Sequence, residues 1–170
     1  MDAYLAVVSK REVRSYDARP IDADARRRIL EAGRLAGSSK NRQARRFVVL
    51  SDPALIERAA ACVYASDNVR GAALVVAIVV GRKGPTSFDA GRAAQNMMLA
   101  ASNEGIGSCP NGIADAEALQ AVVGHGDDEQ VATVLTFGYP VKPRDPERRS
   151  AEEWIVRADR KPYEDVVEER

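Results

Sequence analysis

The sequence predicts a globular protein in which helices and strands alternate along the chain. Its 170 residues, of which 45% are hydrophobic, suffice for one domain with a sizeable core. Apolar runs at 46–50, 73–80 and 131–137 predict strands, and segments with apolar residues at helical spacing lie between them. Taken alone, this alternation is typical of a parallel, doubly wound sheet.

The first two predicted helices are recognised by aspartates that can cap them. Asp22 precedes a helix over 23–36, which ends at Gly37 and whose apolar residues fall on one face: Ala25, Ile29, Ala32 and Ala36. Asp52, followed by Pro53, opens a second helix over 53–64. Both helices therefore begin at residues that favour a helix start and present one side to a core.

The later helices are predicted from caps and stops in the same way. Ser87 caps a long helix over 88–104, which Gly105 ends. A short helix is expected over 115–123, and Ser150 with Glu153 forms a capping box near the C-terminus.

The strand at 73–80 is apolar without alternation, which predicts a central strand covered on both faces. The chain shows no internal repeat and no convincing boundary, so a single domain over 1–170 is expected. The charged stretch 140–149, rich in proline, predicts an extended arm.

The charge balance narrows the range of partners. Lys plus Arg (25) equals Asp plus Glu (25), whereas a protein that binds nucleic acid or an anionic membrane needs a net basic face. We therefore expect neither nucleic acid nor a membrane as a partner. No run resembles a signal peptide or a membrane span, and a cytoplasmic location is expected.

The few cysteines and histidines argue against metal and triad chemistry. Cys62 and Cys109 stand far apart and form no metal-binding pattern, and the one histidine, His125, lies in a polar loop. No metal site is expected, and a Ser-His-Asp hydrolase would depend entirely on His125.

Four segments carry hydrogen-bonding, basic or glycine-containing motifs in a fixed order. They are Lys10-Arg11-Glu12-Val13-Arg14-Ser15-Tyr16; Ala36-Gly37-Ser38-Ser39-Lys40-Asn41-Arg42-Gln43; Ala94 to Ala101 leading into Gly105-Ile106-Gly107-Ser108-Cys109; and Leu135-Thr136-Phe137-Gly138-Tyr139-Pro140. In this order and over nearly the whole chain, they resemble the nitroreductase family of FMN-dependent oxidoreductases. The chain departs from the family at Glu12, where a serine is usual, and at Ala44-Arg45, where Pro-Trp is usual.

The resemblance implies an α+β, three-layer fold with a mixed, mainly antiparallel sheet flanked by helices, built as an intertwined homodimer. It implies FMN as cofactor and NADH or NADPH as reductant. Hydride would pass through flavin N5 to nitroaromatic, quinone or related small-molecule acceptors. The flavin carries the chemistry, so no catalytic side chain is expected.

The resemblance places basic residues on the flavin phosphate and assigns to this part of the site Lys10, Arg11, Glu12 and Arg14. Arg11 and Arg14 are three apart, which predicts that both guanidinium groups reach one phosphate from a helical turn. A carboxylate at Glu12 repels phosphate unless it points away or pairs with an arginine. A basic residue of the C-terminal arm, Arg148 or Arg149, is expected to contribute as well.

The resemblance also supplies the contacts to the ring. Ser38, Ser39 and Asn41 reach the flavin, commonly from the partner subunit, and Gln43 is less certain. Pro110, Asn111 and Gly112 pass beside the ring, with the backbone N–H of Asn111 or Gly112 directed at N5. Without the resemblance, this last segment is equally a plain turn that stops a helix.

Three alternatives stay open on the sequence. The departures at Glu12 and Ala44-Arg45 also fit a flavin-binding protein without general reductase activity, for storage, sensing or a partner-dependent role. A nucleotide-binding α/β domain without flavin rests on the Gly105-Ile106-Gly107 turn alone, because Pro110 replaces the third glycine of the dinucleotide fingerprint. The nicotinamide nucleotide is also open, since any of four arginines can meet a 2′-phosphate: Arg34, Arg42, Arg45 or Arg46.

Overall fold

The computed structural model describes residues 2–170 and divides them into two compact units. The central unit comprises residues 11–143, and the terminal unit comprises residues 2–10 and 144–170. The expectation of a single domain stays a prediction. No helix in residues 2–170 is long and apolar enough to cross a membrane.

The central unit contains one four-stranded sheet in the order β1-β2-β4-β3. Its strands are β1 (Arg45–Leu50), β2 (Leu74–Gly81), β3 (Gly107–Asn111) and β4 (Glu129–Gly138). All three neighbouring pairs are antiparallel. This confirms the α+β class with a mainly antiparallel sheet, and it excludes the parallel arrangement that alternation alone suggests.

The helices of the central unit lie on both faces of the sheet. They are α2 (Ala23–Arg34), α3 (Pro53–Ala61), α4 (Ser66–Arg70), α5 (Thr86–Asn103) and α6 (Ala116–Val123). One face of β2, with Val76 and Ile78, shares a core with residues of α2 and α5. The opposite face, with Val75 and Ala77, shares a second core with residues of α3 and α6. This gives the three layers that were predicted.

The predicted aspartate caps are confirmed. Asp22 accepts a hydrogen bond from the N–H of Ala25 at 2.8 Å and starts α2. Asp52 accepts one from Ala54 at 2.8 Å and starts α3. Each carboxylate satisfies a donor that the helix itself leaves unpaired.

Several predictions for helix boundaries and for one turn are wrong. The first predicted helix, α2, ends at Arg34 rather than at Ala36. The second helix ends at Ala61 rather than 64, and the separate short helix α4 follows it. The long helix begins at Thr86 with Pro85 at the cap position, so Ser87 lies inside the helix instead of capping it. The stretch after Gly105 is not a plain turn, because Gly107–Asn111 pairs with β4 as strand β3.

The terminal unit contains α1 (Ala3–Ser9), a 3-10 helix (Pro146–Arg148), α7 (Ala151–Arg157) and a second 3-10 helix (Tyr163–Asp165). Both hydrogen bonds of the predicted capping box at Ser150 and Glu153 are present. The indole N–H of Trp154 donates to the carbonyl of Pro146 at 2.8 Å. The first 3-10 helix interrupts the arm that the sequence predicts to be extended.

Two helical glycines have opposite surroundings, which predicts opposite effects of adding a methyl group. A Cβ on Gly33 would lie 2.7 Å from Sδ of the buried Met97, whereas a Cβ on Gly91 would meet nothing within 4 Å. We expect Gly91→Ala to raise the free energy of unfolding by about 0.5–1 kcal/mol through helix propensity. Gly33→Ala should lower it, because overpacking costs about 1–3 kcal/mol.

The measurement is denaturant unfolding followed by circular dichroism, with each variant the control for the other. Changes of the same sign in both variants would contradict the packing difference between the two positions.

Candidate functional site

The segment 11–17 lies along the β3 end of the sheet in an extended conformation. Its backbone bonds run to β3 and to the residue that follows β4: the N–H of Val13 donates to the carbonyl of Ser108 at 3.0 Å, and that of Asp17 to the carbonyl of Tyr139 at 2.8 Å. The helical turn predicted for Arg11 and Arg14 is therefore wrong. The backbone N–H groups of Val13 and Asp17 donate to other segments, so they are not available for the hydrogen bonds of a helical turn.

Two glycines of the sheet allow this close approach. A Cβ on Gly107 would lie 2.7 Å from Cβ of Val13, and one on Gly138 would lie 2.7 Å from Cγ of Tyr16. Contacts this short are forbidden, so the segment can lie against the sheet only where side chains are absent. Gly107 and Gly138 are also paired with each other in the β3–β4 register.

Tyr16 links segment 11–17 to β4 through a hydrogen bond. Its hydroxyl donates to the carbonyl of Val13 at 2.7 Å and is hydrogen-bonded to Oγ1 of Thr136 at 3.0 Å. Burial raises the pKa of Tyr16 well above its ordinary value; among smaller electrostatic effects, Glu12 raises this pKa and Arg14 lowers it. The phenol therefore stays protonated and keeps its hydrogen bond to Val13. Glu12 and Arg14, which act on this group electrostatically, are exposed residues.

The loop 38–43 holds an unusual backbone conformation. Lys40, Asn41 and Gln43 each have φ of 52°, a region that residues with side chains rarely occupy. The N–H of Gln43 donates to Oγ of Ser38 at 2.9 Å and thereby closes the loop. Such conformations cost roughly 1–3 kcal/mol each and persist where the surroundings enforce them, which is common at binding sites.

Asp89 of α5 holds this loop in place through a hydrogen bond. Its carboxylate accepts the N–H of Ser39 at 3.1 Å, and the residue is only 7% exposed. Sequence reasoning missed this residue. The available signal was its helical spacing, because Asp89 shares a face of α5 with the buried Ala93 and Met97.

Arg45 occupies the position where Pro-Trp is usual, and it does not point to a ligand. Its guanidinium donates to the carbonyl of Arg34 at 3.2 Å and to that of Ala36. These carbonyls belong to the C-terminal end of α2, where a cation is favourable. Arg45 therefore caps α2 just ahead of the loop 38–43.

The segment 110–112 continues β3 beyond the residues that hold segment 11–17. Pro110 and Gly112 are exposed, and the ring of the exposed Tyr64 lies beside Gly112, where an added Cβ would be 3.1 Å from it. The carbonyl of Gly112 accepts the N–H of Tyr64 at 3.1 Å. The N–H of Gly112 donates to no acceptor in residues 2–170.

The side chain of Asn111 points into the protein rather than towards a ligand. Its amide nitrogen donates to the carbonyl of Val134 at 3.0 Å, and its oxygen accepts from Asn68 at 2.9 Å. The nitrogen also lies 3.3 Å from Oγ1 of Thr136, the hydroxyl that Tyr16 contacts. This buried network fixes the exposed positions on either side of Asn111.

The remaining predicted phosphate contacts lie in the terminal unit. Lys10 is at the C-terminal end of α1. Arg148 is 3.6 Å from a carboxylate oxygen of Asp145, and the guanidinium of Arg149 stands over the ring of Trp154 at 5.1 Å from its centre. Across residues 2–170, no cluster of three His, Cys, Asp or Glu side chains could hold a metal ion.

A profile of the family described as "Nitroreductase family" matches residues 7–79 and 62–139, which together cover most of the chain. The chain belongs to the nitroreductase family. A curated nitroreductase relative from Archaeoglobus fulgidus, named "Putative NADH dehydrogenase/NAD(P)H nitroreductase", is 26% identical over 87% of this chain and 96% of its own length. The resemblance drawn from the four motifs is confirmed.

Solved nitroreductase structures share the fold. A structure from Desulfovibrio desulfuricans, described as a "putative nitroreductase in complex with FMN", is 26% identical, with a TM-score of 0.82 and coverage of 100% of this chain and 98% of that one. The NADPH:FMN oxidoreductase from Vibrio harveyi, complexed with NAD+, is 23% identical with a TM-score of 0.81 and coverage of 96% and 75%.

Proposed function

We propose that this nitroreductase-family protein is an FMN-dependent oxidoreductase, which takes reducing equivalents from NAD(P)H and passes them to nitroaromatic, quinone or related acceptors. One observation carries the proposal. The basic segment 11–14 lies against Ser108, and Gly112, with its unused N–H, lies four residues further along, about 13 Å for an extended chain. The names of the Archaeoglobus and Desulfovibrio relatives support the same chemistry.

The phosphate end of the flavin would be held by cations on segment 11–14. Arg14 is exposed and forms no ion pair within residues 2–170, so its guanidinium is available to an anion. Within the central unit, Arg11 and Glu12 complete this end of the proposed site. Phosphate contacts from Lys10 and from Arg148 or Arg149 stay a prediction of the family resemblance. Glu12 and Arg14 act in opposite directions on the pKa of Tyr16, Glu12 raising it and Arg14 lowering it.

The ring end would be held by backbone groups and short polar side chains. Of the two amides proposed to face N5, the structure favours that of Gly112, because its N–H has no acceptor in the described chain and Asn111 belongs to the strand ladder. Pro110 borders this position, and Ser38, Ser39 and Asn41 provide the contacts from the loop. When bound, the flavin supplies the redox chemistry, and the protein binds, orients and shields it.

We further propose a homodimer, with loop 38–43 contributing to the partner's flavin site. Within residues 2–170, β1 has a partner strand on one side only, and it lies beside a groove of about 660 Å³ whose apolar lining includes Leu30, Phe47 and Val49. A free edge and an exposed apolar surface are features that association covers. Sedimentation should give twice the 18.4 kDa chain mass; a monomer that keeps its flavin would contradict the shared site.

The direct test is the visible absorption spectrum of the purified protein, recorded before and after anaerobic addition of NADH and then NADPH. We expect a bound-flavin spectrum that bleaches with at least one nucleotide. A flavin spectrum that neither nucleotide bleaches would favour the flavin-binding protein without reductase activity. A protein that stays colourless after incubation with FMN would overturn the proposal.

Substituting Arg14 tests where the phosphate lies. Arg14→Ala should weaken FMN binding by roughly 1.5–3 kcal/mol, because it removes a charge-assisted hydrogen bond. The measurement is titration of the apoprotein with FMN, followed by flavin fluorescence. Arg58→Ala is the control, since Arg58 is also exposed but lies on α3. An unchanged dissociation constant in Arg14→Ala would show that the phosphate is bound elsewhere.

A further inference from the structure

The geometry points to Arg42 as the residue that binds the 2′-phosphate of NADPH, and hence to NADPH rather than NADH as the preferred electron donor. This inference rests on the proposed reductase function and names the donor for the same site. NADPH differs from NADH by one phosphate monoester on the adenosine ribose. A preference therefore requires a cation that is exposed, uncommitted and close to the flavin.

Two of the four candidate arginines are committed to carboxylates. Arg34 binds both oxygens of Glu31, at 2.8 and 2.5 Å. Arg46 binds both oxygens of Glu129, at 3.1 and 2.8 Å, and Arg46 lowers the pKa of that carboxyl to about 2. A phosphate would have to displace a bidentate partner at either position.

Arg45 is committed to the backbone. Its guanidinium donates to the carbonyls of Arg34 and Ala36 at the end of α2, and the residue is half-buried. Moving it to a ligand would uncap the helix and leave these carbonyls without their donor.

Arg42 alone among the four has no such partner. It is exposed, and within residues 2–170 it forms neither an ion pair nor a hydrogen bond through its guanidinium. Its Nη1 lies against Gly84, where an added Cβ would be 2.9 Å away. The guanidinium is thus positioned against the backbone while its remaining donors stay available.

Two further cations lie on the segments that carry or contact Arg42, although the chain as a whole is neutral. Lys83 precedes Gly84, Lys40 lies in the same loop, and all three cations are exposed. The nearby carboxylate of Asp89 is buried and already accepts the N–H of Ser39. The exposed Asp127 and Asp128 bond Arg82 through their backbone carbonyls, so carboxylates also lie on the other side of Lys83 in this part of the structure. Arg42 and Lys40 are the cations carried by the loop itself.

An exposed aromatic ring lies on the same stretch of chain. Phe88 is 68% exposed in the first turn of α5, four residues after Gly84, and the guanidinium of Arg92 stands 5.9 Å from its ring centre. Arg92 also contacts Gly37 at the start of the loop. A flat apolar ring beside cations suits an adenine base whose ribose carries a phosphate.

The location fits electron transfer. Arg42 follows Asn41, which we propose to contact the flavin, so a dinucleotide held by its adenosine end at Arg42 would lie beside the proposed flavin site. The loop 38–43, closed by the hydrogen bond from Gln43 to Ser38, would present both contacts from one backbone segment.

The test uses the purified holoprotein and compares Arg42→Gln with Arg34→Gln, which removes an exposed arginine already paired with Glu31. Calorimetric titration with 2′,5′-ADP and with 5′-AMP measures recognition of the 2′-phosphate without turnover. We expect the wild type and Arg34→Gln to bind 2′,5′-ADP at least about tenfold more tightly than 5′-AMP, and Arg42→Gln to lose this preference. Correspondingly, kcat/KM for NADPH should fall about tenfold or more in Arg42→Gln, whereas that for NADH stays within about twofold.

Three results would overturn the inference: a wild type that does not distinguish 2′,5′-ADP from 5′-AMP, an equal loss in both variants, or weakened FMN binding in Arg42→Gln. The last would mean that Arg42 serves the flavin phosphate. Failure of the proposed function is seen separately, as a protein that holds no flavin or is reduced by neither nucleotide. The titration with 2′,5′-ADP still reports on Arg42 in that case.

Discussion

The burial of β2 on both faces is the constraint on which the central unit depends. Residues from Leu74 to Val80 are all buried, and alternate side chains enter two different cores. A strand of this kind must have helices on both sides and a hydrogen-bonded strand along each edge. β1 and β4 supply those edges, and the layer order follows from them.

The candidate site lies at the β3 edge of the sheet, and this arrangement of strands determines its position. β3 is an edge strand, and its pairing with β4 brings Gly107 opposite Gly138. The missing side chains admit segment 11–17, which then carries its arginines to the same margin as Gly112. The buried contacts of Asn111, Thr136 and Tyr16 join strand and segment into one unit. This buried hydrogen-bond network thus fixes the positions of the exposed groups.

At a second place on the surface, ion pairs and hydrogen bonds determine which arginine remains available to a ligand. Arginines 34, 42, 45 and 46 lie close together in the sequence, yet the fold gives three of them internal partners and leaves Arg42 to the surface. A binding site therefore depends on which neighbouring groups already have partners as much as on the groups that remain available. A chain with zero net charge can therefore present a local anion-binding surface.

The sequence by itself determined the parts that depend on local interactions. The aspartate caps at α2 and α3, the capping box of α7, the buried character of β2 and the membership of the nitroreductase family could all be inferred from it. Capping and burial patterns need only a few neighbouring residues, which explains why these predictions were confirmed.

Only the tertiary structure decided features that depend on distant partners. It showed that Arg11 and Arg14 lie on an extended segment, because the donors of that segment bond to β3 and to the end of β4. It also showed that the stretch after Gly105 is a strand and that Asp89 supports the loop at Ser39. Strand direction and the pairing of Arg46 with Glu129 are set by residues tens of positions away, so no local pattern encodes them.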